Sequence, residues 1–89
     1  MSHNYYVESV SKPRDVHNAD FGARYDSTYK TYDFQSRENA ERFLQACGYE
    51  AGEVREEVGS SSGLGWQGTV TVYRRPGREP AKLHDIEIG

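Results

Sequence analysis

The clearest hydrophobic pattern in the chain is Ala40, Phe43, Leu44 and Cys47, spaced i, i+3, i+4, i+7 within SRENAERFLQACGY. That spacing places four apolar side chains on one stripe and predicts a helix over residues 37–47. The ends of this helix are marked as well. Ser36 is suited to accept a free N–H of the first turn, Glu38 meets the positive end of the helix dipole, and Glu38 with Arg42 has the favourable i, i+4 order. Gly48 suits the left-handed position after the last turn, which lets Tyr49 fold back toward Leu44.

Elsewhere the period shortens to two, the mark of strands with unlike faces. YYVESV, residues 5–10, reads as a strand with Tyr5 and Val7 opposite Tyr6 and Val10. Residues 28–34 read as another, because Tyr, Thr and Phe favour a pleated surface and Asp26-Ser27 reads as a turn before it. There Tyr32 and Phe34 share a face, while Tyr29 points the other way alongside Asp33. EVREEVG, with Val54 and Val58 flanking Glu56, and WQGTVTVYRR, with Trp66, Val70 and Val72 opposite Thr69, Thr71 and Tyr73, predict two more strands. Between them GSSSGLG reads as a mobile hairpin loop with Leu64 folded inward. The closing LHDIEI alternates as an edge strand. Residues 11–23 hold Pro13 and Gly22 without a sustained period and read as a long loop anchored through Val16 and Phe21. Residues 76–82, PGREPAK, read as a basic arm stiffened by two prolines. The expected fold is a single α+β domain over residues 1–89, one helix packed on a mostly antiparallel sheet of about four strands.

Composition adds that this core is thin. Leu, Ile, Val and Phe number 15 of 89 residues, whereas seven Tyr and one Trp carry much of the apolar area. Fourteen acids against eleven bases give a net charge of −3, too balanced to hold a chain open by repulsion. The excess acid lies in residues 1–58, with 11 acids to 7 bases, against 3 acids and 4 bases in residues 59–89. A pI near 5.5 speaks against a general nucleic-acid binder, and so modest an excess speaks against wholesale DNA mimicry. Cys47 is the single cysteine, so the chain reads as an intracellular, cytoplasmic protein with neither a leader nor a membrane span in its pattern.

No constellation names a reaction. Cys47 sits on the apolar helix stripe, where a thiol behaves as a small hydrophobe; His3, His17 and His84 fall in separate regions; GSSSGLG lacks the Lys and following helix of a phosphate loop. No enzyme, metal or cofactor is expected. Tyrosine interleaved with charge is instead what protein interfaces favour. In ARYDSTYKTYDF this marks Tyr25, Asp26, Tyr29 and Asp33 as partner-binding residues, with Tyr73, Arg74, Arg75 and Arg78 as a second patch. The expected activity is non-enzymatic protein binding, plausible as stoichiometric inhibition. Single-stranded RNA binding by a ferredoxin-like sheet is the alternative, with Tyr5 or Tyr6, Tyr29 and Tyr73 stacking bases and Arg74, Arg75, Arg78 and Lys82 on phosphate. A homodimer through an edge strand such as LHDIEI is a further option.

As a short, acidic, cysteine-poor, tyrosine-rich α+β chain without a catalytic constellation, the sequence resembles small phage-encoded inhibitors of the anti-CRISPR type. That resemblance implies a protein that occludes a surface of a larger, CRISPR-type complex. A local likeness links the helix around SRENAERF, following a strand and preceding a hairpin, to SPOR-type domains, which implies glycan binding.

Overall fold

The structure, a computed structural model, describes residues 2–61 and 64–88. Six strands and one helix alternate as β1 (Ser2–Glu8), a short 3-10 turn (Asn18–Phe21), β2 (Arg24–Asp26), β3 (Thr31–Phe34), α1 (Arg37–Ala46), β4 (Glu50–Ser61), β5 (Leu64–Arg74) and β6 (Ala81–Ile88). The strands form one sheet in the order β2-β3-β1-β6-β5-β4, and every neighbouring pair is antiparallel. The α+β class and the single packed helix agree with the sequence reading. The sheet, however, has six strands rather than about four.

Helix α1 forms where the stripe requires it. The Ser36 hydroxyl accepts the Asn39 N–H at 3.2 Å. At the other end the Gly48 N–H donates to Gln45 O and the Tyr49 N–H to Leu44 O, each at 3.0 Å, with Gly48 at φ 92°. This is the reciprocal closure that a left-handed glycine permits, and it swings Tyr49 into the core. The expected Glu38–Arg42 pair gives way to Arg37–Glu41 at 3.2 Å, while Arg42 lies over the Phe21 ring. Arg37 also reaches down to the sheet, donating to Asp85 at 3.1 Å and to Thr71 at 3.0 Å.

Ala40, Phe43, Leu44 and Cys47 press on one face of the sheet, against Val7, Phe34, Tyr73, Ala81 and Leu83. The register explains the selection: Tyr5 and Val7 stand opposite Phe34 and Tyr32 on one side and Asp85 and Leu83 on the other, so their side chains share that face. Burying Phe, Leu and Val here contributes about 1.5–3 kcal/mol for each side chain.

Several expectations are corrected by the topology. LHDIEI is not an edge strand: β6 is flanked by β1 and β5, so neither of its edges is free for a second copy. GSSSGLG is mostly ladder, since β4 and β5 pair through Ser60↔Gly65 to Ser61↔Leu64; backbone pairing needs no apolar side chains. Residues 62–63 and the Leu64 side chain lie outside what the structure describes. Tyr6 and Val10 do not share a face, because Ser9 takes φ 63° and returns Val10 to the core side. Residues 28–30 belong to a turn, and the strand they were assigned to is a hairpin of β2 with β3. Of the 76–82 segment only residues 76–80 lie in the tight β5–β6 connection, closed by Arg78 N–H to Arg75 O at 3.2 Å, while Ala81 and Lys82 are already in β6.

Candidate functional site: an aromatic and acidic groove

The face of the sheet away from α1 carries Tyr6 and Glu8 of β1, Thr31 and Asp33 of β3, and Lys82, His84 and Ile86 of β6. At one side of it lies a groove of about 400 Å³, lined by Tyr6, Asp26, Tyr29, Thr31 and Asp33, with Asn4, Tyr5 and Phe34 completing its wall. The groove unites three of the residues singled out from the sequence: Asp26, Tyr29 and Asp33.

Local chemistry fixes Tyr29 there. Asp26 accepts the N–H groups of Thr28 at 2.9 Å and Tyr29 at 3.2 Å, which folds the turn around its own carboxylate. Lys30 then takes φ 57°, and the chain re-enters β3. The result is a ring 76% exposed on a backbone that its own hydrogen bonds hold in place. Asp33 lies two residues beyond Thr31, whose hydroxyl donates to it at 3.3 Å. Neither Asp26 nor Asp33 meets a basic side chain within 4.0 Å among the described residues. The groove therefore presents aromatic surface beside two carboxylates that form no ion pair within the chain, with Arg24 the cross-strand neighbour of Asp33.

Tyr6 belongs to this site, although the sequence offered it only as a base-stacking ring and not as a protein contact. Its ring stacks on His84 at 4.4 Å between centroids, and His84 Nε2 meets Glu8 at 2.9 Å. Burial, and then the carboxylates of Glu8, Glu57 and Asp33, push the Tyr6 phenol above its ordinary value, so it stays a protonated donor. The alternation that sets Tyr6 opposite Tyr5 was the available signal.

The remaining predicted residues do not converge. Tyr25 is 52% exposed but stands opposite Tyr32, on the α1 side of the sheet, where the two rings lie 5.0 Å apart. Tyr73 is corrected outright: at 3% exposure it is core, beneath α1, because its register partner Ala81 faces the helix. Arg75 is occupied structurally, lying over the Tyr49 ring and donating to Ser11 O at 3.1 Å. Arg74 pairs with Glu53 at 3.2 Å on the surface, and Arg78 is exposed in the β5–β6 connection. The second patch is thus a pair of exposed arginines, not an aromatic and basic surface.

Cys47 is buried and its thiol is pushed up to about 11 by that burial, against the opposing pull of Arg75 and Lys12. It is a core side chain, as its place on the stripe implied. Among the described residues no group of three or more His, Cys, Asp or Glu side chains converges, and no helix is long and apolar enough to cross a membrane. No protein-family model, curated protein or solved structure matches the chain.

Proposed function

We propose that the chain is a non-enzymatic protein-binding module whose contact centre is the groove of Tyr6, Tyr29, Asp26 and Asp33, and that a basic side chain of the partner enters it. The observation that carries this reading is Tyr29, a large ring displayed to solvent on a turn already held by Asp26. Little backbone entropy remains to be lost when a partner covers it, which is the property of a strong interface anchor. Two carboxylates that form no ion pair within the chain, beside aromatic rings, favour lysine or arginine, by charge and by attraction to the ring face. Occlusion of a surface on a larger complex, as the resemblance to phage-encoded inhibitors implies, is the mechanism such a contact surface would serve. The RNA alternative is weakened because Tyr73 is inside and Arg75 is engaged within the chain. The order of strand, helix and hairpin that suggested SPOR-type domains is present as β3, α1 and β4–β5, but that order carries no glycan chemistry.

The test is capture from host lysate by the intact chain and by the double variant Tyr29→Ala, Asp33→Ala, with affinity for the captured partner then measured. Loss of an interface anchor predicts binding weaker by about 30-fold or more, with an unchanged unfolding midpoint. Equal affinity in the double variant would end the assignment of the site, and unfolding of the variant would make these residues structural.

A further inference from the structure

We propose that the free edge of β4 pairs with a second copy of this chain, antiparallel, about a two-fold axis through Glu56. β4 is the last strand of the sheet, so its outer backbone groups have no neighbouring strand. The irregularity in its pairing with β5 falls between Ala51 and Val54, and from Val54 to Ser61 the strand is regular. Val54 and Val58 stand 60% and 78% exposed on the α1 side, beyond the reach of the helix, which packs on β1, β3 and β6.

What identifies the occupant is the order Val54-Arg55-Glu56-Glu57-Val58, which is complementary to itself when reversed. Centred on Glu56, each Val54 faces the other copy's Val58, each Arg55 faces Glu57, and Glu53 faces Gly59. The single mismatch is Glu56 against itself. Centring on Arg55 instead sets Arg55 against Arg55 and Glu57 against Glu53. Centring between Arg55 and Glu56 keeps two opposite charges in contact but places both valines against glutamates. Direct cross-strand pairs of like side chains or opposite charges stabilise a ladder, and like charges oppose it, so the Glu56 register is favoured. Arg55 is free to change partner, since its bond to Glu53 is 3.4 Å long and on the surface. The resulting interface is isologous, as two-fold dimers require.

Sedimentation equilibrium on the 89-residue chain, from about 10 μM to about 1 mM, tests this. The wild type should form a concentration-dependent dimer. Glu56→Gln, which relieves the one mismatch, should tighten it about two- to fivefold, and Arg55→Glu should loosen it by at least as much. Arg55→Glu combined with Glu57→Arg should restore it, because the pair is then reversed but kept. A monomer at 1 mM for both wild type and Glu56→Gln would overturn the proposal, as would a double variant no tighter than Arg55→Glu. Weakening by Glu56→Gln would overturn the register. All three side chains are exposed, and far-UV circular dichroism of each variant confirms that it is folded.

Discussion

The half of the sheet made of β3, β1 and β6 and the arm made of β4 with the distal part of β5 share the same backbone ladder and the same alternation of apolar and polar residues. Their fates differ. Under α1, Val7 and Leu83 lie fully buried, whereas Val54 and Val58 occupy equivalent alternating positions in β4 and face water. Alternation specifies a strand with unlike faces; whether the apolar face is dry depends on what the rest of the chain places above it. The Arg37 side chain, tied to Asp85, Thr71 and Glu41, marks where the cover stops.

This contrast can be broken most strongly at Phe43, the ring that Phe21, Tyr32 and Phe34 all touch. Phe43→Ala should lower stability by about 3–5 kcal/mol, a large share of the total for so small a domain, read as a fall in the urea midpoint. A smaller effect is expected at Gly68, where β5 passes so close to β6 that an added Cβ would overlap the Asp85 carbonyl oxygen and lie 2.8 Å from Ile86 Cα. Gly68→Ala should cost about 1–3 kcal/mol and should reduce amide protection around Gly68 and Ile86 more than in α1.

Alkaline pH should destabilise the fold, largely through groups in the covered half. Burial raises the Cys47 thiol to about 11 and lifts the Tyr32 and Tyr73 phenols above their ordinary value. The folded chain thus holds these protons more tightly than the unfolded one. Stability should be level below about pH 9, fall as pH passes from 9 to 11, and fall further as the tyrosines ionise. Thermal midpoints across that range check the sign, and Cys47→Ala should flatten the first part of the decline. The smallest effect belongs to the arm. Val58→Thr should change stability by no more than about 0.5 kcal/mol, since the side chain is mostly hydrated already.

Where residues carry their own local instructions, the sequence was readable. The stripe of α1, the Ser36 cap, the Gly48 closure and the solvent-facing Tyr29 were all stated by neighbours within a few positions. What was misread depends on distant partners. β2 is three residues long and exists only because Asp26 turns the chain back onto Thr31 and Tyr32. LHDIEI has the pattern of a half-wet edge, yet it is central, and its polar residues meet partners on both faces: Asp85 with Arg37 and His3 on the α1 side, His84 with Glu8 on the other. Tyr73 looked like a surface ring because alternation sets it opposite Trp66, Val70 and Val72, and only the register with Ala81 places it under the helix. In the groove, Asp26, Tyr29 and Asp33 were found because they are close in sequence, whereas Tyr6 required the pairing of β1 with β3.

Among the described residues β6 alone joins the two parts of the sheet: without it, β2-β3-β1 and β5-β4 share no ladder. Its contacts with β1 close a long circuit, as the 76-residue separation of His84 from Glu8 shows. A folding chain can therefore form the ladders β2-β3-β1 and β5-β4 separately, each with an open edge, until β6 inserts between them. That insertion closes long loops, so its rate is governed by loop entropy.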